Sequence, residues 1–454
     1  MFNKVLVANR GEIAFRIVRA CKKFGVRTVS VFSEADSSSL HVKEADESHC
    51  LGPAQPGASY LNIEKIVEAA KATDAEAIHP GYGFLSENSR FAGACEQNDL
   101  VFIGPTSATL ELTENKITLR RLMKNQGIPV VSSVGPFSDR AQLVMEAFEK
   151  MSWPVIIKSA YGGGGRGIRV VAKREELESA LDASRNEAKI SFGREEIYVE
   201  QYISRPRHIE FQVLGDHNGN LIHVNERECS IQRRFQKLVE ESPSPAVNVD
   251  LRRSIGETAI KAMSTVKYHN AGTVEFLMDQ AGNFYLNEIN SRLQVEHPVT
   301  ELATGIDLVE QQLRISTGED LVLTSDDTHI KNHAVECRIN AEDPARNFFP
   351  SPGKITQYNP PIDEFVRVDS HIYHGYTVPM YYDSLLAKLL ACGPTRNEAI
   401  EKLSWALNNL VLEGVKTTIP MHKKIVENPS FRRGELSTHF LDDERIVEGL
   451  RKDK

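Results

Sequence analysis

The sequence predicts a mixed protein, α/β at its start and α+β beyond, divided into about three domains at ~100 to 200 residues per domain. Three observations carry this. The chain has 454 residues, too many for one core. It opens with a strand-helix-strand pattern, and past its middle two strand-like stretches flank a Gly-Asn turn.

In the opening, Lys4 to Asn9 reads as a buried strand. Glu12 to Phe24 has helical spacing through Ile13, Ile17, Val18 and Cys21 until Gly25 stops it, and Arg27 to Phe32 returns to strand. A right-handed crossover makes this the start of a parallel sheet. Only Gly11 follows the first strand, where a dinucleotide site needs G-x-G-x-x-G, so this region is scaffold and no NAD binding is expected. A short strand from Ala75 to Ile78 leads into His79-Pro80-Gly81-Tyr82-Gly83-Phe84-Leu85-Ser86-Glu87-Asn88. That stretch has too many turn formers for a helix, and it sits at a strand's C-terminal edge, where α/β folds favour ligands. Val101 to Pro105 closes the first region.

Thr113 to Asn125 is helical in pattern, with Lys116 near its start and Gly127-Ile128-Pro129 as the turn that ends it. Strands Val155 to Lys158 and Ile168 to Val171 are then joined by Tyr161-Gly162-Gly163-Gly164-Gly165-Arg166-Gly167. With no G-K-[ST] and no following helix, this is not a Walker loop. Its backbone amides can still close over phosphates as a flap; a flexible hairpin tip is the other reading, and Lys158 and Arg166 favour phosphate. Glu200-Gln201-Tyr202 begins the next unit, which includes the alternating strand Arg207 to Val213. The polar run Glu226 to Lys237 reads as a solvated charged turn. The last domain starts near Lys331, with His333 to Asn340 as a strand carrying Arg338.

The densest chemistry lies in the hairpin. Ala271 to Asp279 sets one acid, Glu275, among apolar residues, and the second strand runs into Asn287-Glu288-Ile289-Asn290-Ser291-Arg292-Leu293-Gln294-Val295-Glu296-His297-Pro298. A four-residue loop from Gln280 to Asn283 pairs Asp279 with Phe284 and places Glu275 opposite Glu288. Glu288, Asn290 and Arg292 then share a face by alternation. Two carboxylates on one face need a cation between them. Oxygen ligands favour Mg²⁺; an ion-pair network with a neighbouring lysine or arginine is the alternative.

Composition narrows the classes. With 41% apolar and 26% charged residues the chain is an ordinary globular protein rather than a disordered one. A net charge of −8 argues against a nucleic-acid surface. No apolar run approaches the ~20 residues that span a bilayer, and Met1 to Asn9 is too short for a signal peptide. The cysteines, Cys21, Cys50, Cys95, Cys229, Cys337 and Cys392, are scattered without a C-x-x-C pair. A reduced compartment, the cytoplasm, is expected.

Taken together, VLVANRGEIAFRI, HPGYGFLSEN, GGGGRGIRVV, ERECSIQRRFQK, EINSRLQVEHPVTE, HAVECRINAEDP and GYTVPMYYDS resemble the biotin carboxylase component of biotin-dependent carboxylases, within the ATP-grasp superfamily. The resemblance implies a Rossmann-like N-terminal domain (1–114), a central ATP-grasp domain (115–330) with a mobile lid at about 131–203, and a C-terminal biotin carboxylase domain (331–446). It implies ATP with Mg²⁺, or Mn²⁺ in its place, and bicarbonate and biotin as substrates.

Carried over by resemblance, Lys116 and Lys158 hold ATP phosphates under the lid loop Gly163, Gly164, Gly165, Arg166 and Gly167. Glu200 and His208 contact the nucleoside, and Gln232 belongs to the same binding set. Glu275, Glu288 and Asn290 hold the metal. Lys237, Arg292, Gln294, the Val295 backbone and Glu296 form the bicarbonate site, with Glu296 as general base. Arg338 meets the biotin ureido group, with Tyr82 and Gly83 nearby. The implied reaction passes through carboxyphosphate, which breaks to CO₂ and phosphate; phosphate deprotonates biotin and Arg338 stabilises the resulting enolate.

Phe235 stands where many members have histidine, Gln201 where lysine is frequent, Asn115 where aspartate is frequent, and Tyr161 enlarges the start of the glycine loop. These put details of ATP binding in question but remove no proposed catalytic residue. The attachment signature Met-Lys-Met does not occur in the sequence. The carrier protein and carboxyltransferase are therefore expected on separate chains, with acetyl-CoA, propionyl-CoA, pyruvate or another acid as acceptor, and a homodimer is implied. Two alternatives are an ATP-grasp ligase that carboxylates a nucleotide precursor and a nucleotide-binding regulatory subunit; the loop His79 to Asn88 and Arg338 argue against the first.

Overall fold

The computed structural model describes residues 1–136, 140–162, 167–324 and 326–452. A five-stranded parallel sheet forms first, in the spatial order Glu47–Gly52, Arg27–Ser33, Lys4–Val7, Ala77–His79, Val101–Phe102. Its central strand Lys4–Val7 is buried on both faces because both are covered, whereas the edge strand Glu47–Gly52 is polar and only partly buried. Val5 and Val7 pack with Ile13 and Ile17 of helix Gly11–Lys23 and with Leu308 and Leu313. Leu6 points the other way, to Ile66, Ile78 and Phe91.

The expected helix Thr113 to Asn125 is two helices, Ser107–Glu114 and Lys116–Asn125. Asn115 breaks them apart: it leaves helical geometry, and its Oδ1 accepts from the Ile117 and Thr118 amides. This N-cap makes Lys116 the first residue of the second helix. A four-stranded sheet follows, ordered Ser133–Val134, Ile197–Gln201, Val155–Ser159, Arg169–Val171. Glu200 and Gln201 thus close this sheet rather than begin the next unit. Gly167 has φ +70°, and a Cβ there would lie 3.3 Å from Ser159 Cβ, so the end of the glycine loop admits little else.

The third sheet has eight strands, ordered Phe284–Asn290, Asn270–Met278, Arg207–Gly215, Leu221–Arg233, Gln236–Ser242, His333–Asn340, Leu385–Gly393, Val366–Ser370. It runs without interruption across position 331, because Gln236–Ser242 pairs with His333–Asn340. Ile209, Phe211, Val213, Val274, Phe276 and Leu286 form its apolar face, packed against Ile255, Ala259 and Met263 of helix Val249–Thr265. Each such buried side chain is worth ~1.5–3 kcal/mol. Alternation turns His208, Glu210 and Gln212 to the opposite face.

The run Glu226 to Lys237 is not a solvated turn. It is the buried end of strand Leu221–Arg233, a turn at Arg234 and Phe235, and the start of Gln236–Ser242. Burial is tolerated because each charge finds a partner. Glu226 takes Arg252 at 2.7 Å, Glu228 takes Arg207 at 3.1 Å, and Arg227 donates to Glu210, Gln212, Thr273 and Thr300.

The hairpin also differs in detail. Asp279 N donates to the Asn283 carbonyl and Met278 pairs with Phe284, so the loop is one residue shorter than expected. An irregularity at Asn287 adds that residue back, and Glu275 still faces Glu288.

Candidate active site

The eight-stranded sheet carries a row of charges in register. Glu288 pairs with Glu275, Glu275 with Glu210, and Glu210 with Arg227. Three carboxylates in line would repel, and lysines and a histidine answer them. Lys237 Nζ lies 2.5 Å from Glu210, 2.8 Å from Glu275 and 2.6 Å from Glu296, so all three ammonium protons are engaged. Burial pulls this ammonium down, but the three carboxylates outweigh it and hold it well above the usual lysine range. Burial pushes the Glu275 carboxyl up; Lys237 and His208 overcome this and hold it well below the usual range. His208 Nε2 is 3.1 Å from Glu275 and Nδ1 is 2.9 Å from Gln232 Nε2. Burial lowers its pKa, yet Glu275 carries it up to about 9.

Lys116 Nζ contacts Glu288 at 2.6 Å. Lys158 bridges Glu200 at 2.7 Å and Asn287 Oδ1 at 3.0 Å. Glu200 is buried against Lys158 and Arg120; burial raises its carboxyl, and the two cations bring it below the usual range. The structure therefore brings Lys116, Lys158, Glu200 and Glu288 together at one end of the site. His208, Gln232 and Lys237 lie at the other, with Glu275 between.

Arg292 lies two residues beyond strand Phe284–Asn290 and is held on several sides. Nε contacts Glu87 at 2.9 Å, Nη1 donates to Gln294 Oε1 at 2.9 Å, and Nη2 to Asn290 Oδ1 at 3.2 Å. Gln294 Nε2 reaches Glu275 at 3.3 Å. Glu296 precedes helix His297–Thr304 and is buried. Its second oxygen takes Arg338 Nη2 at 2.8 Å, and Arg338 Nε donates to Glu240 at 2.6 Å. The Val295 carbonyl accepts from Lys388 Nζ at 2.9 Å, and Lys388 pairs directly with Arg338 across two strands. Tyr82 joins at one remove: its ring lies 5.8 Å from Lys388 Nζ and its hydroxyl meets Glu12. Gly83 is in the same turn, at φ +68°. Gly163, Gly164, Gly165 and Arg166 lie outside the described residues.

Glu275, Glu288 and Asn290 offer hard oxygen donors suited to Mg²⁺. Asn290 Nδ2 is buried without a hydrogen-bond partner among the described residues, while its Oδ1, the donor a cation would use, is held by Arg292 Nη2. Lys116, Lys237 and His208 meanwhile balance the two carboxylates, so the ion-pair alternative also operates here. Among the described residues, two other sets of ligating atoms lie within 4.8 Å, His208-Glu210-Glu275 and Glu210-Cys229-Glu296. Lys237 touches every carboxylate in both and supplies their positive charge.

Sequence reasoning missed Glu210, Glu87, Glu240 and Lys388. Glu210 had a signal: three polar residues alternating with apolar ones along a buried strand. Of the departures, Phe235 is 46% exposed in the turn. Gln201 is tied to the Ser152 and Pro154 backbone. Asn115 Nδ2 donates to the Tyr161 hydroxyl at 2.8 Å, so these two substitutions meet each other.

A parallel-sheet domain leading into a sheet lined by lysines and carboxylates defines a nucleotide-using ligase of mixed α/β class. Family comparison makes this specific. Residues 1–110 match the biotin carboxylase N-terminal domain, 115–324 the carbamoyl-phosphate synthase L chain ATP-binding domain, and 336–443 the biotin carboxylase C-terminal domain. The chain is 49% identical to a pyruvate carboxylase subunit from Methanothermobacter thermautotrophicus, over 98% of this chain and 90% of that one. It is 49% identical to the biotin carboxylase of a Nostoc species, over 97% and 99%. The biotin carboxylase domain dimer of Hydrogenobacter thermophilus 2-oxoglutarate carboxylase, in complex with MgADP, ADP and bicarbonate, superposes with a TM-score of 0.96 at 46% identity, covering 98% of each chain. The chain belongs to the biotin carboxylase family.

Proposed function

We propose that this protein carboxylates biotin on a separate carrier protein, consuming ATP and bicarbonate through carboxyphosphate. The observation that carries the reading is Glu296, a buried carboxylate joined to Lys237 and Arg338 and adjoining the Arg292 fork. Bicarbonate is a poor nucleophile and must be aligned and deprotonated. Arg292 supplies a planar fork for an oxyanion, and Glu296 takes the proton. Lys116 and Lys158 offset charge on the transferring phosphoryl group. Glu275, Glu288 and Asn290 would hold Mg²⁺, which adds to that charge neutralisation when bound. Carboxyphosphate breaks to CO₂ and phosphate, phosphate takes the biotin proton, and Arg338 stabilises the enolate that captures CO₂. Glu200, His208 and Gln232 line the nucleotide side, and Tyr82 and Gly83 border the biotin side; Gly163, Gly164, Gly165, Arg166 and Gly167 supply the sequence of a phosphate flap.

The domains divide at 1–114, 115–330 and 331–446, with the lid at about 131–203. A carboxyltransferase on another chain and a homodimer complete the assembly, in line with the dimeric Hydrogenobacter relative. No described helix is long and apolar enough to cross a membrane; a cytoplasmic setting suits the six free cysteines.

The test is steady-state phosphate release with MgATP, comparing no addition, bicarbonate, and bicarbonate with free biotin. Bicarbonate-dependent release stimulated by biotin is expected. Stimulation by an aminoimidazole ribonucleotide in place of biotin would overturn the assignment.

A further inference from the structure

Glu240 and Glu336 stand directly opposite each other on strands Gln236–Ser242 and His333–Asn340, and both are fully buried. Residues so placed share one face, with Cβ atoms ~4.5–5.5 Å apart. Glu240 Oε1 accepts from Arg338, but Glu240 Oε2 and both oxygens of Glu336 have no hydrogen-bond partner among the described residues. Two ionised carboxylates left in that state would carry an uncompensated desolvation cost.

The groups facing the pair do not supply a second charge. Lys388 is engaged by Glu12 at 3.1 Å and the Val295 carbonyl at 2.9 Å. Lys237 is engaged by its three carboxylates. Glu296 adds negative charge, and the buried thiols of Cys229 and Cys337 are held neutral, burial raising both well above the usual range. Among the described residues Arg338 alone touches the pair, and it is shared with Glu296. Burial raises both carboxyls, Glu240 to about 7 against the pull of Arg338, and Glu336 well above the carboxylate range against the pull of Lys388.

We propose that Glu336 is a carboxylic acid sharing one proton with Glu240, and that this proton leaves Glu240 as the charged anchor positioning Arg338 for biotin carboxylation. The shared proton supplies the hydrogen bond that the free oxygens lack. It also lets Arg338 be gripped by two carboxylates, Glu240 and Glu296, without a third competing charge. Both are positioning residues, and the inference rests on the function proposed above.

The experiment follows carboxybiotin formed per phosphate released against pH, with free biotin, in the full-length protein and its Glu336→Gln and Glu240→Gln variants. In the wild type this yield falls on the alkaline side as the pair loses its proton. Glu336→Gln, permanently neutral, abolishes that fall, and Glu240→Gln lowers the yield severalfold at every pH. Superimposable profiles for wild type and Glu336→Gln overturn the proposal. A wild type that makes no carboxybiotin overturns the functional reading instead, and the proton is then read by infrared difference spectroscopy. The carbonyl band of a protonated carboxyl, present at neutral pH and lost in Glu336→Gln, supports it; no such band overturns it. Should Glu336→Gln fail to fold, Glu336→Asp takes its place: a carboxyl band that shifts with the substitution supports the proposal and an unchanged spectrum overturns it, since burial also raises Glu12, to about 7, and its band would stay in place.

Discussion

Lys237 Nζ stands 2.6 Å from Glu296 Oε1, and the same ammonium holds Glu210 and Glu275. The proposed base is thus fixed to the carboxylates of the neighbouring strands through one cation. Replacing Glu296 by glutamine leaves Lys237 with two anionic partners, so the fold and MgATP binding should survive. Bicarbonate-dependent phosphate release should fall by ~10²–10⁴-fold, because an amide cannot take the proton. Calorimetric ATP binding alongside phosphate release checks this; turnover at the wild-type rate would remove Glu296 from its role.

Arg338→Ala should uncouple the reaction. Arg338 contacts Glu296 and Glu240 but none of Lys116, Lys158 or Glu288. Bicarbonate-dependent phosphate release should continue while carboxybiotin falls ~10²–10³-fold. Parallel assays of both products decide it, and equal losses would contradict the assignment.

Glu288→Gln should raise the Mg²⁺ concentration for half-maximal phosphate release by at least ~10-fold, while saturating Mg²⁺ restores part of the rate. A chelator should stop phosphate release in the wild type. A Mg²⁺ titration of the variant that overlays the wild type would exclude Glu288 as a ligand.

Asn115→Ala should loosen the start of helix Lys116–Asn125 by ~1 kcal/mol, the usual worth of an N-cap. Asn115→Asp should keep most of that stability, since a carboxylate accepts the same amides and suits a helix N-terminus. Hydrogen exchange of the Ile117 to Arg121 amides reports both; equal protection in Asn115→Ala and wild type would show that the cap does not matter.

The buried Arg10–Asp36 pair sets an acid limb of stability. Burial pushes the Asp36 carboxyl up, but two contacts from Arg10, at 2.6 and 2.8 Å, bring it down to about 2. A depressed acid stabilises fully above its unfolded pKa of ~3.9 and loses that contribution as pH falls through the folded value. Asp36→Asn should therefore cost ~3–5 kcal/mol near neutrality. Its deficit in thermal unfolding should narrow below about pH 4; a deficit independent of pH would show that charge is not the cause.

Local pattern was enough for the parallel sheet, because a strand covered on both faces must be apolar throughout, as Lys4 to Val7 is after its first residue. It was also enough to set Glu275 against Glu288. That register survived a loop one residue shorter than expected only because the extra residue at Asn287 compensates. The break at Asn115 was readable as a cap residue in mid-helix. The run Glu226 to Lys237 was misread because its polarity is local while its partners are distant: Arg252, Arg207, Glu210 and Thr300 come from other elements.

By itself the sequence determined the class of fold, the family resemblance, and the residue types of the site: two acids in register, a glycine loop, and arginines beside Glu296 and within the last domain. Only the tertiary structure decided which charge answers which. Lys237 could be given to Glu210, Glu275 and Glu296 only once three strands and a helix start converged on one ammonium. Ion pairing falls off within a few ångströms and its strength depends on burial. Neither quantity is local in the chain, so the same glutamate can be a solvated surface group, a metal ligand or the holder of a buried proton until its neighbours are in place.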